Sequence, residues 1–272
     1  MSAEIDYVLG THDEEVQRLG LQHRVWQPFV LDAWTRAGLT RGSRLVDFGC
    51  GPGFATLDAA AIVGSQGSVT AIERSQHFLN FAKAQVGGQK LSWVRFIQAD
   101  LDKDDIALAG FDLAWCRWVA SFVSSPKKLL DRISASLRVG GKAVLHEYQN
   151  YSTWQLIPHS ECLEKFVNEI SASWRAAGGE PNIVNELIPL MDSSGLQVLS
   201  LRPLIFAIGP SHFVWQWPAS FIASGSRRLV ELGRISAEYA DRIQADFHAL
   251  EQNSAAVMIT PLVMEIIAEK IR

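Results

Sequence analysis

The stretch DFGCGPGF, residues 47–54, has a glycine at positions 49, 51 and 53 and directly follows the apolar run RLV of residues 44–46. Glycine lacks a Cβ atom, so the chain can turn sharply here and a ligand can approach its backbone closely. A strand that ends in a glycine turn and leads into a helix is typical of the ligand-binding edge of a parallel α/β sheet. We therefore expect a ligand at this turn.

Short β-rich runs and helical segments alternate along the chain from this turn onward. Strands are predicted at residues 43–49, 68–73, 92–98, 111–116, 141–148, 196–208 and 256–266. Helices are predicted at residues 53–63, 75–87, 126–138, 182–194 and 226–250. This alternation predicts an α/β fold with a doubly wound, mostly parallel seven-stranded sheet and helices on both faces.

The chain before the first strand has helical signals. A capping box formed by Thr11 and Glu14 predicts a helix that starts near His12 and runs towards Trp26. Pro28 suits the first position of a helix, so a second helix is predicted from there to about Gly38.

Three segments follow from these boundaries. Residues 1–39 form a helical N-terminal segment, and residues 40–149 hold the glycine turn with the first five strands. Residues 150–272 hold the remaining strands and, from 151 to 179, a helical stretch that we interpret as an insertion capping the sheet.

Composition and charge disfavour several partners. The 272 residues carry a formal net charge of -4 with a pI near 6.0, so no broad basic surface is expected for nucleic acid. No apolar run approaches the length of a membrane span and the first residues lack a signal-peptide pattern, so we expect no membrane partner and a cytoplasmic location. Cys50, Cys116 and Cys162 form no CxxC pair, which predicts free thiols and no metal site.

Acidic residues near the glycine turn separate two kinds of nucleotide ligand. A dinucleotide fingerprint needs GxGxxG, and Phe54 occupies the position of its third glycine. Asp47 precedes the turn, where a carboxylate would repel a pyrophosphate and attract an amine or a sulfonium. Glu73 ends the second strand, where an acid accepts hydrogen bonds from ribose hydroxyls, and Asp100 ends the third. The pattern favours an adenosine ligand with an amino-acid tail.

The sequence resembles the class I S-adenosylmethionine-dependent methyltransferases, of the type that acts on small molecules. The resemblance covers about residues 40–148 and lies in the segments LVDFGCGPGF (45–54), VTAIERS (69–75), FIQADLD (96–102), FDLAWCRWV (111–119) and LLDRISASLRVGGKAVLHEY (129–148).

This resemblance implies that the cofactor is S-adenosylmethionine. The implied cofactor-binding residues are Tyr7, Gln22, Asp47, Gly49, Gly51, Glu73, Arg74, Asp100, Leu101 and Arg117. The glycine turn would hold the methionine part, the acid after the second strand the ribose, and the Asp-Leu pair after the third strand would flank the adenine. Arg117 would face the methionine part or the transferred methyl group. Tyr7 and Gln22 would reach the cofactor from an N-terminal helical lid, residues 1–39.

The sequence indicates less about the methyl acceptor than about the cofactor. His146, Glu147 and Tyr148 end the fifth strand, where one of them could serve as a base, and the alternative is that all three are ordinary strand-end polar residues. The segment HFVWQW, residues 212–217, places aromatic residues in the cap region, which suits an apolar or aromatic small-molecule acceptor.

Two other functions stay open at this level. One is an NAD(P)-dependent oxidoreductase, which Phe54 and the absence of a Tyr-x-x-x-Lys pair disfavour. The other is a protein that binds S-adenosylmethionine without catalysis. Methylation of nucleic acid is also disfavoured. Enzymes that methylate amino groups of DNA carry an Asn/Asp-Pro-Pro-aromatic motif after the fourth strand, and this chain has CRWV, residues 116–119, at that place.

Overall fold

The computed structural model describes residues 13–272. It divides into two compact units. The sheet unit comprises Trp26–Glu147, Ile183–Pro203 and Met264–Arg272, and the helical unit comprises the chain up to Val25 with Tyr148–Asn182 and Leu204–Val263. The predicted division into lid, core and cap at residues 39 and 149 stays a prediction.

Ten strands and eight α-helices lie within residues 13–272. The strands are β1 Arg44–Phe48, β2 Ser68–Glu73, β3 Val94–Gln98, β4 Phe111–Arg117, β5 Leu137–Asn150, β6 Gln155–Ile157, β7 Leu196–Leu204, β8 Ala207–Ile208, β9 Val257–Ile259 and β10 Leu262–Lys270. The helices are α1 Asp13–Ala37, α2 Phe54–Val63, α3 Gln76–Gly88, α4 Pro126–Ser136, α5 Glu161–Ala176, α6 Val184–Met191, α7 Gln216–Glu231 and α8 Ala237–Glu251.

The seven-stranded sheet confirms the predicted fold class. Its strand order is β3-β2-β1-β4-β5-β10-β7. The pairs β1–β2, β2–β3, β1–β4 and β4–β5 are all parallel. Successive strands therefore run outward from β1 in one direction and from β4 in the other. Open α/β sheets bind ligands in the crevice at such a reversal, beyond the carboxyl ends of the strands, and DFGCGPGF starts at the end of β1.

Capping and burial explain why the helices around this sheet form where they do. The Ser75 side chain accepts the Phe78 N–H at the start of α3, and Ser125 accepts the Lys128 N–H at the start of α4, where Pro126 needs no hydrogen-bond partner. Ile133 of α4 and Leu187 of α6 pack in the same buried core as β1 and β4. Burial of these apolar faces is the main stabilising term, since isolated helices of this length are marginal in water.

The helical unit has its own small sheet and an aromatic cluster. The strands β6, β9 and β8 form this sheet in that order, and both pairings are antiparallel. Tyr151 lies 5.0 Å from Tyr148 and 5.1 Å from Trp174, between ring centroids, and Trp154 lies 5.7 Å from Phe166. Edge-to-face ring pairs of this kind each add about 0.5–1.5 kcal/mol beyond the area that they bury.

The predicted break between two N-terminal helices was wrong. The two N-terminal helices are one helix, α1, and Pro28 lies inside it. The buried residues Trp26, Val30 and Trp34 anchor that part of α1 in the sheet unit, and this packing offsets the hydrogen bond that proline removes. Thr11 and His12, on which the predicted start rests, lie outside the described residues.

The cap region also differs from its prediction. The stretch 151–179 contains the strand β6 before α5 begins at Glu161, and the predicted last strand is two strands, β9 and β10. These short strands pair only with segments far away in the chain, so local sequence does not indicate them. No helix within residues 13–272 is both long and apolar enough for a membrane span.

Candidate active site

The glycine turn at the end of β1 adopts backbone conformations that favour glycine. Gly49 and Gly51 have φ values of 70° and 55°. A Cβ atom on Gly49 would lie 2.4 Å from Cγ2 of Val119, so a neighbouring turn fills the space beside it. A Cβ atom on Gly51 would meet no described protein atom within 4 Å. The backbone of Gly51 is therefore open to a ligand, whereas that of Gly49 is packed against protein.

Glu73 at the end of β2 is bound to this turn. Its Oε2 accepts the Gly51 N–H at 3.0 Å and its Oε1 accepts the Ser75 N–H at 2.8 Å. Burial raises the pKa of this carboxyl above its ordinary value, and the two backbone N–H bonds oppose that effect. Each carboxylate oxygen has two acceptor sites, so both oxygens retain capacity for a further hydrogen bond, such as one from each hydroxyl of a ribose.

Asp47 supplies negative charge beneath the turn. It is buried, and its Oδ2 accepts the Thr56 hydroxyl at 2.7 Å. Burial raises the pKa of Asp47 to about 6, while the Thr56 hydrogen bond and the Arg117 charge pull it down. The sequence did not single out Thr56, because a hydroxyl in the first turn of a helix has no local signal for a partner on the preceding strand.

Arg117 is the last residue of β4, and two indole rings hold its guanidinium. The Cζ atom lies 5.1 Å from the Trp118 ring centroid and 5.8 Å from that of Trp115. Trp118 has a φ of 52°, which is unusual for a bulky residue. The Arg117 charge also lowers the pKa of Asp47, so both predicted cofactor-binding groups act at the same end of the sheet.

Asp100 and Arg74 lie at the ends of the outer strands. The Oδ1 of Asp100 accepts the Asp102 N–H at 3.0 Å, its Oδ2 lies 3.2 Å from Lys103 Nζ, and these contacts, with the Arg74 charge, lower its pKa below the ordinary value despite partial burial. The Arg74 charge also lowers the pKa of Glu73. Leu101 is partly buried against the core of the sheet unit. Asp100 closes its own turn, and its contact with adenine stays a prediction.

His146 belongs to a buried ion cluster in the sheet unit. Its Nε2 lies 3.2 Å from Oε2 of Glu265, and neither side chain is exposed. Burial lowers the pKa of His146, and Glu265 also accepts hydrogen bonds from Arg36 and Arg202. Local sequence does not indicate this cluster, because its members come from α1, β5, β7 and β10.

Glu147 is also fully buried. Its Oε1 accepts the backbone N–H groups of Val119 at 2.9 Å and Ala120 at 3.0 Å, and burial raises its pKa to about 7. Tyr148 lies in the aromatic cluster of the helical unit, where its ring is parallel to that of Trp217 at 6.5 Å. A catalytic role for His146, Glu147 or Tyr148 stays a prediction.

The predicted lid residues are only partly within the described chain. Tyr7 lies outside the described residues. Gln22 lies on α1 in the helical unit, where it is buried and its Oε1 accepts an N–H from Arg18 at 2.9 Å. Arg18 is in turn paired with Glu15 at 2.6 Å. A contact of Gln22 with a cofactor stays a prediction.

Comparison with known families matches this geometry. Residues 46–145 match a family model described as a methyltransferase domain. This segment is therefore similar to a methyltransferase domain. The match runs from β1 to β5 and so contains the glycine turn, Glu73 and Arg117, which confirms the resemblance inferred from the sequence.

Curated methyltransferases are similar to the chain over part of their length. Over 131 residues it is 26% identical to the ubiquinone/menaquinone biosynthesis C-methyltransferase UbiE of Azotobacter vinelandii, covering 48% of this chain and 51% of that protein. Over 163 residues it is 28% identical to the 2-phytyl-1,4-naphtoquinone methyltransferase of a Nostoc species, covering 56% of this chain and 69% of that protein. The match to the UbiE relative thus spans about half of that methyltransferase's length.

Solved structures share the methyltransferase fold. Geranyl diphosphate C-methyltransferase from Streptomyces coelicolor superposes with a TM-score of 0.59 at 15% identity, covering 95% of this chain and 85% of that one. The [4+2]-cyclase SpnF superposes with a TM-score of 0.56 at 17% identity, covering 89% and 80%. At such identities the likeness concerns the fold, and the second example shows that this fold also supports a reaction named as a cyclisation.

Proposed function

We propose that this protein is an S-adenosylmethionine-dependent methyltransferase that transfers a methyl group to a small molecule. The observation that carries the proposal is the position of Glu73, whose carboxylate joins the end of β2 to the backbone of Gly51 in the glycine turn. A buried acid with spare acceptor capacity beside an open glycine backbone fits an adenosine ligand.

The residues of the sheet unit fit this cofactor chemically. The space beside Gly51 would admit the ligand to the backbone, and Glu73 would accept the ribose hydroxyls. Asp47 and Arg117 carry opposite charges at the same end of the sheet, as an amino-acid tail with an ammonium and a carboxylate requires. Asp100 with Leu101 would flank the adenine.

The role of the protein in the reaction is mainly alignment. S-adenosylmethionine supplies an activated methyl group on a positively charged sulfur when it is bound. The glycine turn and Glu73 would orient it, and the tryptophans around Arg117 would exclude water, which strengthens the interaction of Asp47 with positive charge. A base is required only for an acceptor that must lose a proton.

The acceptor that we propose is an apolar or aromatic small molecule bound by rings of the helical unit. Tyr148, Tyr151, Trp174 and Trp217 form a buried aromatic cluster in this unit, and rings of this kind suit an apolar or aromatic acceptor. Two of the similar proteins are named for quinone-type compounds, which are aromatic or closely related to aromatic molecules. We also propose a cytoplasmic location.

Calorimetry separates the proposed function from its alternatives. We expect S-adenosylmethionine to bind and NAD(H) to give no heat at the same concentrations. Binding of NAD(H) alone would instead favour the oxidoreductase. A panel of aromatic acceptors with detection of S-adenosylhomocysteine then tests catalysis, since a protein that only binds the cofactor would form none.

Glu73→Ala should weaken S-adenosylmethionine binding by about 1–3 kcal/mol, because ribose hydroxyls would lose a charged acceptor. The matched control is Asp112→Ala. Asp112 also accepts two hydrogen bonds, from the Arg44 N–H at 2.8 Å and from Arg138 at 2.7 Å, but at the opposite end of the strands. Calorimetric affinities should change for the first variant only, and an unchanged dissociation constant for Glu73→Ala would exclude the ribose assignment.

A further inference from the structure

Glu147 has an environment that its position at a strand end does not explain. It is the last residue of the sheet unit on β5, and its side chain is fully buried. Its Oε1 accepts the N–H groups of Val119 at 2.9 Å and Ala120 at 3.0 Å, and the Cys116 thiol lies 3.9 Å away. Within residues 13–272 its Oε2 is buried without a hydrogen-bond partner. A buried carboxyl that serves two consecutive backbone N–H groups holds a turn in place.

The turn that Glu147 holds is strained. Trp118 adopts a φ of 52°, and such conformations persist only where the surroundings fix them. The Trp118 N–H donates to the carbonyl oxygen of His146 at 3.0 Å, so His146 and Glu147 together bind residues 118, 119 and 120. Two neighbouring residues of β5 thus fasten the chain just after β4.

The turn 118–120 also packs against the glycine turn at the end of β1. A Cβ atom on Gly49 would lie 2.4 Å from Cγ2 of Val119, so the Val119 side chain fills the space beside Gly49. A shift of Val119 would therefore change the packing of Gly49, which lies two residues before the Gly51 backbone that is open to the proposed ligand. The Val119 N–H donates to the Glu147 carboxylate and the Val119 side chain fills the space beside Gly49, all within the sheet unit.

We propose that Glu147 is a positioning residue for the methyl-donor site, which fixes the turn 118–120 and, through Val119, the glycine turn. This inference rests on the proposed function. A role as a proton acceptor from substrate fits less well, because Oε1 already accepts two backbone N–H groups and neither carboxyl oxygen is exposed.

The ionisation of Glu147 should then affect ligand binding. Burial raises its pKa to about 7, and the N–H bonds become stronger when the carboxyl is charged. The titratable groups around it are the Cys116 thiol on β4 and, beyond that thiol, Asp47 on β1, whereas the turn contributes backbone N–H groups. A positively charged ligand nearby lowers the pKa of Glu147, so its affinity should rise as pH increases through about 7.

Two variants and two measurements test this proposal. Glu147→Ala removes the acceptor, whereas Glu147→Gln keeps an oxygen for both N–H groups and removes the titration. Leu130→Ala is the control, because Leu130 is a buried α4 residue whose truncation destabilises the same unit while leaving the Glu147 carboxylate and its N–H donors in place. Amide hydrogen exchange of residues 118–121 and calorimetry with S-adenosylmethionine from pH 5.5 to 8.5 are measured for each protein.

We expect Glu147→Ala to speed exchange at Val119 and Ala120 and to weaken S-adenosylmethionine binding by about tenfold or more. The S-adenosylmethionine affinity of Glu147→Gln should be within about threefold of that of the wild type at pH 6 and should not rise near pH 7. The change in affinity that titration of Asp47 causes at lower pH should remain. Leu130→Ala should lower the melting temperature without a change in affinity. If Glu147→Ala does not fold, the pH profile of Glu147→Gln decides the matter.

Other outcomes overturn one proposal or the other. Faster exchange in Glu147→Ala with unchanged affinity would show that the turn does not position the donor site. Unchanged exchange, or a wild-type pH profile in Glu147→Gln, would remove Glu147 from this role. A wild-type protein that binds no S-adenosylmethionine would overturn the proposed function itself, and exchange in Glu147→Ala would still report whether the carboxyl holds the turn.

Discussion

Gly49→Ala is expected to lower the free energy of unfolding by about 2–4 kcal/mol. The new methyl group would lie 2.4 Å from Cγ2 of Val119, and the φ of 70° is strained for any residue with a Cβ atom. Either the turn at Val119 moves or the glycine turn does. Because both border the proposed donor site, S-adenosylmethionine affinity should fall together with stability. Urea unfolding and calorimetry measure the two effects.

Gly51→Ala is the matched control for this prediction. Its φ of 55° brings similar backbone strain, but its Cβ atom would meet no described protein atom within 4 Å. The loss of stability should therefore be about 1 kcal/mol, whereas the methyl group would occupy space needed by the ligand. The double variant Gly49→Ala/Val119→Ala should recover part of the stability lost in Gly49→Ala. No recovery would show that contact with Val119 is not the cause.

Glu265→Ala is expected to lower the free energy of unfolding by about 2–4 kcal/mol. Glu265 on β10 is completely buried and accepts hydrogen bonds from Arg36 on α1 and, at 3.0 Å, from Arg202 on β7. His146 also loses the contact of its Nε2 with Oε2 of Glu265, at 3.2 Å. Removal of the Glu265 carboxylate leaves the guanidinium groups of Arg36 and Arg202 without this acceptor. The free energy lost in this way exceeds the net contribution of the hydrogen bonds themselves.

Asp32→Ala provides the comparison, because Asp32 contacts the same two arginines from a half-exposed position. It should cost less than about 1 kcal/mol, as is usual for solvent-exposed pairs. Equal losses for Asp32→Ala and Glu265→Ala would contradict the view that burial makes the difference.

The dependence of this cluster on pH has a definite sign. Hydrogen bonds and positive charge lower the pKa of Glu265 below its ordinary value of 4.5, so its contribution to stability is present above pH 4.5 and is lost as pH falls through the lowered pKa. Burial lowers the pKa of His146 below 6.5, so stability also decreases as pH falls below that value. The stability advantage of the wild type over Glu265→Ala should shrink in acid, as urea unfolding at pH 7 and pH 4 would show.

Local pattern indicated the first five strands of the sheet and the residues of the proposed donor site. Strand β2 was predicted at its observed limits, Ser68–Glu73, because an apolar run bounded by glycine and a charged residue is a strong local signal. The glycine turn and Glu73 were singled out because a binding motif at the end of a strand consists of a few consecutive residues. The continuous helix α1 was missed because packing of Trp26 and Trp34 outweighs the local effect of Pro28.

The sequence by itself determined the fold class, the approximate positions of the first five strands, the resemblance to a methyltransferase and the glycine turn at which we propose the cofactor binds. Only the tertiary structure decided which distant groups meet: Val119 against Gly49, Glu147 on the turn after β4, and Glu265 among Arg36, Arg202 and His146. The physical reason is that hydrophobic periodicity and turn chemistry act between near neighbours in the chain. The burial of a carboxyl and the partners that compensate it depend on elements that come together only when the sheet is complete.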